Sequence, residues 1–115
     1  LNGVIDHIAK PKIIENIFEP WAENISELSK IDSLNCKISG MVEEMNESQG
    51  ISILKNYTDH VIESFGDDKV MYGSNWPVCL TKKSYSEVLE IAKTISNNLD
   101  SEKFFYSNGK SFYLD

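Results

Sequence analysis

The sequence lacks the features of several classes of protein. It has no run of 18 or more apolar residues, which excludes a transmembrane helix. It is poor in positive charge, with 11 basic against 18 acidic residues and a net charge of −7, so neither a nucleic acid nor an anionic membrane is expected as a partner. The first residue is Leu rather than Met, and no basic-then-apolar leader follows it. We therefore expect a processed chain or a piece of a longer one.

Cysteine is also scarce. Cys36 and Cys79 both lie at or beside apolar runs, which predicts two buried, reduced thiols. A disulfide would require an oxidising compartment that nothing else in the sequence supports, so a cytoplasmic location is expected.

Short apolar runs alternate with amphipathic stretches along the 115 residues. Strands are predicted at residues 1–7, 34–40 and 70–73, the second with Cys36 and Ile38 on one face and polar residues on the other. Apolar residues at helical spacing predict helices at 17–31 and 53–65. A third helix is predicted from a capping box at 84–87 to Leu99, and a short fourth from Asp100 to a turn at 108–109.

The predicted strands begin near residues 4, 35 and 70, a period of roughly thirty residues. Strands and helices that alternate at this spacing form right-handed βα crossovers and a parallel sheet, so the fold class is α/β. A complete eight-fold barrel of such units needs about 250 residues. Three units, part of a TIM barrel, fit this chain, and a small open sheet is the alternative. Such an open sheet would have two bare edges, as would the barrel portion alone, so we expect self-association.

Candidate functional residues follow from a rule of parallel α/β folds, in which functional side chains lie at the carboxyl ends of the strands. Applied to the three predicted strands, the rule selects Asp6, His7, Lys37, Ser39, Gly40, Ser74, Asn75 and Trp76.

Several of these residues have both a functional and a structural interpretation. His7 is a candidate metal ligand, acid or base, or donor to an oxyanion, or else a histidine bonded to backbone in a turn. Asp6 is expected to orient His7 or to cap a turn. Lys37 either holds a carboxylate or hydroxyl of a substrate or forms a salt bridge within the barrel. Trp76 either stacks on a substrate or packs beneath its own loop, which Pro77 stiffens.

Three further groups have a structural interpretation. His60 lies within the second predicted helix and is expected on its solvent side. The acidic run of Glu43, Glu44 and Glu47 is expected to solvate a loop, with a carboxylate donated to the site as the alternative. Ser39 is either a substrate-binding hydroxyl or one satisfied near the Gly40 turn.

Three motifs resemble the last three strands of the amidohydrolase-related (amidohydrolase 2) barrels. They are Val4-Ile-Asp-His-Ile-Ala-Lys-Pro11, Asn35-Cys-Lys-Ile-Ser-Gly40 and Val70-Met-Tyr-Gly-Ser-Asn-Trp-Pro-Val-Cys79. Their order and spacing match, as do the helix from Tyr57 to Gly66 and the tail from Phe104 to Tyr113. The branch that the sequence resembles contains sugar-lactone and pyrone-dicarboxylate-type lactone hydrolases.

The resemblance implies a distorted TIM barrel, of which residues 1–115 are the C-terminal part, that opens a lactone by adding water. It implies that His7 polarises the substrate or helps to hold a divalent metal such as zinc, although several lactonases of this branch look metal-independent. Residue 75 occupies the position of the aspartate that takes the proton from water. Lys37, Ser39, Ser74 and Trp76 would line the site of a small-molecule substrate, a lactone or sugar acid.

The chain departs from the family pattern in two ways. Strands one to five and their His-x-His pair lie outside it, so the 115 residues alone are expected to be inactive. Asn75 replaces the aspartate, and an amide is not a general base near neutral pH. Two functions therefore remain open: a lactone hydrolase in which another carboxylate acts while Asn75 orients water, and a non-catalytic barrel that serves as a ligand-binding or assembly scaffold.

Overall fold

Three short parallel strands form the centre of the computed structural model, which describes all 115 residues. They are β1 (Gly3–Ile5), β2 (Leu34–Ile38) and β3 (Val70–Tyr72), arranged in the order β1-β2-β3. In the register of the sheet, Ile5 lies beside Cys36, and Cys36 lies beside Val70. The carboxyl ends of all three strands therefore meet at one edge of the sheet.

A helix follows each strand after a single 3₁₀ turn. The helices are α1 (Trp21–Leu28), α2 (Ile51–Phe65), α3 (Tyr85–Ile95) and α4 (Asn108–Leu114), the last continuing from a π-helical turn at Lys103–Ser107. The 3₁₀ turns are Asp6–Ala9, Val42–Glu44 and Val78–Thr81. None of the helices combines the length and apolarity that crossing a bilayer requires.

The core lies between the sheet and the helices. Cys36 and Ile38 are fully buried in it with Leu54 and Val61 of α2, whereas Lys37 of the same strand is partly exposed, so the predicted alternation is confirmed. Cys79 is equally buried in a second, smaller cluster. Both thiols are free and enclosed, as predicted, and burial raises the pKa of Cys36 to about 12, which keeps this thiol protonated and unreactive.

Helix α1 is shorter than the predicted 17–31. Pro20 occupies the position just before the helix, where its missing N–H costs nothing, so residues 17 and 18 lie in the segment that precedes the helix. At the other end Ile31 donates its N–H to the Leu28 carbonyl in a tighter turn, and the helix stops.

The last two helices also differ from their predictions. The capping box of α3 is present, with Ser84 and Glu87 bonded to each other's backbone N–H, but the helix ends at Ile95 rather than Leu99. There the Ser96 hydroxyl donates to the Ala92 carbonyl at 2.6 Å, a local bond that competes with helix continuation. Asn108 does not form the predicted turn: its Nδ2 donates to the carbonyls of Asp67 (2.6 Å) and Val70 (2.9 Å), so its side chain ties a continuing helix to β3.

The outer strands lead to a prediction about association. Because β1 and β3 each have only one neighbouring strand, the backbone groups on the outer side of each have no partner strand, although on β3 the Asn108 side chain binds the Val70 carbonyl. We expect the 115-residue chain to self-associate by pairing these edges, either as dimers or as larger soluble species. Light scattering at tens of micromolar measures this, and a monomer throughout the concentration series would contradict it.

Candidate active site

The sequence-predicted residues converge at the carboxyl edge of the sheet. The ladder continues past β3, because the N–H of Gly73 donates to the Ile38 carbonyl at 3.1 Å. Ser39 and Gly73 are therefore neighbours, so close that a Cβ on Gly73 would lie 2.9 Å from the Ser39 Cβ. This edge carries the segments that follow all three strands, as the parallel topology requires.

His7 and Ser39 are in direct contact. The imidazole Nδ1 and the Ser39 Oγ share a hydrogen bond of 2.7 Å, and Ser39 is only 2% exposed. The hydroxyl donates when Nδ1 carries no proton. With Nδ1 engaged in this way, Nε2 is the ring nitrogen left to meet a substrate or a metal ion.

His7 lies in a turn of unusual backbone conformation. His7, Ile8, Ala9 and Lys10 all have positive φ values of 54°, 46°, 62° and 48°. The left-handed region costs a residue other than glycine roughly 1–2 kcal/mol. This turn is also why β1 ends at Ile5 rather than at the predicted His7, since a left-handed backbone cannot continue the ladder.

Gly40 makes room for the His7 ring. Its φ is +66°, and a Cβ at this position would lie 2.6 Å from the imidazole Nδ1 and 2.7 Å from Cγ. Glycine is thus required on two grounds, the backbone conformation and the close approach of the ring. The rule for strand ends selected Gly40, but only the tertiary contact explains it.

Lys37 and Asp6 form an ion pair at 2.9 Å beside the His7–Ser39 contact. The lysine lowers the pKa of Asp6, chiefly through their hydrogen bond. The Tyr113 side chain and then Asp6 raise the pKa of Lys37, whose Nζ lies 5.5 Å from the centre of the Tyr113 ring. Lys37 therefore forms a salt bridge, one of the two roles considered for it, and its partner is the carboxylate of Asp6.

The loop after β3 presents Ser74, Asn75 and Trp76. The Ser74 hydroxyl accepts the N–H of Trp76 at 3.2 Å, and the Asn75 carbonyl accepts the N–H of Cys79 at 2.9 Å. Asn75 has φ +56°, a conformation that asparagine tolerates better than most residues. Trp76 is 62% exposed, so it does not pack beneath its loop, and its indole is free to contact a ligand.

The expectation that His60 faces solvent is wrong. Its Nε2 donates to the Ala22 carbonyl of α1 at 2.7 Å, and its ring lies 5.4 Å from that of Phe18 and 5.7 Å from that of Trp21. His60 therefore joins α2 to α1. Sequence periodicity could not show this, because the partner surface comes from α1 and from Phe18 just before it, far away in the sequence.

The three glutamates of the acidic run have different environments. Glu47 is exposed as expected, and Glu44 pairs with Lys10 at 3.6 Å. Both carboxylate oxygens of Glu43, however, are buried without a hydrogen-bond partner, as is the Tyr72 hydroxyl, whose pKa burial raises to about 12. Both side chains line a cavity of about 10 Å³ beside Ser39, with room for about one water molecule. No sequence pattern indicated that the Glu43 carboxylate is buried.

The residues of this chain do not form a metal-binding site by themselves. No group of three or more His, Cys, Asp or Glu side chains is placed to hold one. His7 offers one nitrogen, while Asp6 is neutralised by Lys37. Further ligands would have to come from outside these residues.

The chain is similar in sequence and in fold to known proteins. The model of a family described as amidohydrolase matches residues 1–113. The chain is 31% identical over 100 residues to the L-fucono-1,5-lactonase of Burkholderia multivorans, and this match covers 78% of the chain and 34% of the relative. It is 36% identical over 78 residues to the L-fucono-1,5-lactonase of Burkholderia ambifaria, and this match covers 68% of the chain and 27% of the relative. A crystal structure of an amidohydrolase from Burkholderia multivorans with bound zinc superposes with a TM-score of 0.85 at 26% identity, over 94% of this chain and 42% of that one.

These likenesses confirm the predicted fold class, an α/β portion of a TIM barrel with parallel strands. The chain spans about a third of the length of the curated relatives it matches.

Replacing Gly40 by Ala should destabilise the protein by roughly 1–3 kcal/mol, because the added Cβ meets the His7 ring and the residue must keep a positive φ. Chemical denaturation measures the change. Gly109→Ala is the matched control: nothing lies within 4 Å of its Cβ position in α4, so a gain of about 0.5–1 kcal/mol is expected. Equal effects of the two substitutions would refute this account of Gly40.

Replacing Glu43 by Gln should stabilise the protein by roughly 1–2 kcal/mol at neutral pH, because a buried carboxylate without a partner is costlier than a buried amide. Glu44→Gln, which removes only the partly exposed ion pair with Lys10, should cost less than about 1 kcal/mol. Both are measured by urea unfolding. A Glu43→Gln variant less stable than the parent would show that the carboxylate has a partner.

Proposed function

Because the chain belongs to the amidohydrolase family, we propose that residues 1–115 are the C-terminal part of a single amidohydrolase-type TIM barrel. The three βα units, and the fraction of the relatives that the chain spans, support this assignment. The remaining strands would complete both the sheet and the site. By itself the chain presents one edge of an active site and is expected to be inactive.

We propose that the complete protein hydrolyses a sugar lactone. The observation that carries this proposal is the His7–Ser39 pair at the carboxyl edge of the sheet, in a chain whose relatives include L-fucono-1,5-lactonases. In the reaction, water adds to the lactone carbonyl carbon, the ring C–O bond breaks, and the ring oxygen leaves as a hydroxyl. The product is the open hydroxy acid.

Each residue has a proposed role. The Nε2 of His7 donates to the lactone carbonyl oxygen and stabilises the charge that develops on it, while Ser39 fixes the ring through Nδ1. Asn75 orients the attacking water but does not take its proton. Ser74 and Lys37 bind the polar groups of the substrate, Lys37 exchanging Asp6 for a substrate oxygen, and the exposed Trp76 stacks on the sugar ring.

Metal dependence is proposed only for the complete barrel. The zinc of the Burkholderia multivorans structure supports it. In that case the His7 Nε2 would be one ligand of the metal instead of a hydrogen-bond donor, and a divalent metal bound there would polarise the carbonyl. The two free, buried cysteines support a cytoplasmic location.

A second candidate function is a barrel that binds a lactone or sugar acid without turning it over. Asn75 supports it, because the amide at this position leaves the known edge of the site without a general base. No nucleic acid or membrane partner is proposed in either case, given the net charge of −7.

The test is an assay of the complete barrel on sugar lactones, L-fucono-1,5-lactone among them, with added divalent metal and with Asn75→Asp as the variant. We expect slow hydrolysis by the parent and a rise of kcat by on the order of 10²–10⁴ in Asn75→Asp, the usual contribution of a general base. No hydrolysis by either form would rule out the enzyme. Tight lactone binding without turnover would then favour the scaffold.

A further inference from the structure

We propose that Trp21 is a positioning residue for His7, acting through the left-handed turn between β1 and α1. The effect on catalysis rests on the proposed lactone hydrolysis, whereas the effect on the turn does not. Trp21 lies 14 residues after His7, outside the motifs at the strand ends.

The turn needs support because its backbone is unfavourable. Four consecutive residues, none of them glycine, have positive φ, and one is the β-branched Ile8 (φ 46°, ψ 32°). At roughly 1–2 kcal/mol each, this conformation persists only if surrounding contacts impose it. A local bond from the Lys10 N–H to the His7 carbonyl, at 2.8 Å, closes the end of the turn.

Trp21 supplies a bond to the middle of the turn. Its indole Nε1 donates to the Ile8 carbonyl at 2.6 Å, across 13 residues of sequence. The Ile8 side chain is fully buried, so the turn is held from both the side chain and the carbonyl of one residue. Because His7 immediately precedes this anchored peptide, its ring direction toward Ser39 and Gly40 depends on that anchor.

Three aromatic rings pack around the Trp21 indole. Its ring centroid lies 5.6 Å from that of Phe18, 5.3 Å from that of Tyr57 and 5.7 Å from that of His60. Tyr57 is 1% exposed and donates its hydroxyl to the Ile17 carbonyl at 3.0 Å. This aromatic cluster between α1 and α2 gives Trp21 a fixed position from which to hold the turn.

The experiment compares two variants of the complete barrel, each losing one donor from the same cluster. Trp21→Phe keeps an aromatic ring but loses the bond to the turn, whereas Tyr57→Phe loses a bond to Ile17. We expect Trp21→Phe to lower kcat about tenfold with little change in KM, and to speed amide exchange at Lys10 about tenfold, the effect of one lost hydrogen bond. Tyr57→Phe should lower the melting temperature similarly and change neither readout.

A rescue separates positioning from general stability. Ala9 is exposed and has φ 62°, so Ala9→Gly should relax the turn into its native conformation at no cost in packing. In the Trp21→Phe background it should restore most of the lost kcat and of the Lys10 protection.

Three results would overturn the proposal: unchanged kcat and Lys10 exchange in Trp21→Phe, equal changes in Tyr57→Phe, or no rescue by Ala9→Gly. If the parent hydrolyses no lactone, the proposed function fails. Lys10 exchange in the same three variants then still decides whether Trp21 holds the turn.

Discussion

The hydrogen bond between His7 and Ser39 is the contact around which the site is arranged. It joins the ends of β1 and β2, and it requires two departures from ordinary structure. The backbone from His7 to Lys10 is left-handed, and residue 40 has no side chain. Both features cost stability, and backbone strain of this kind is typical of functional sites.

The charged groups near this contact differ in whether an opposite charge compensates them. Lys37 and Asp6 neutralise each other where solvent still reaches them. Glu43 lies in a closed space without a protein partner, although it is close in sequence to exposed acidic residues. A carboxylate under those conditions costs far more than one at the surface. The edge of the sheet therefore concentrates unfavourable free energy that the apolar layer between sheet and helices has to offset.

The aromatic cluster between α1 and α2 connects that layer to the site. Trp21 belongs to the cluster through its ring and to the His7 turn through its N–H, so rigidity is transmitted from packed rings to a strained backbone. His60 completes the connection by bonding α2 to α1. In the proposed arrangement a residue that takes no part in the chemistry fixes where the His7 ring points.

The sequence by itself determined the α/β class, the parallel sheet and the set of strand-end residues, because these follow from the spacing of the strands. It also determined the start of α3, because the capping box at Ser84 is a local pattern. It also identified the family, through short motifs with fixed spacing. Only the tertiary structure decided the left-handed turn at His7, the burial of Glu43, the inward position of His60 and the helical conformation at Asn108. Each of these depends on residues 13 or more positions away in the sequence, and local propensity carries no information about such contacts.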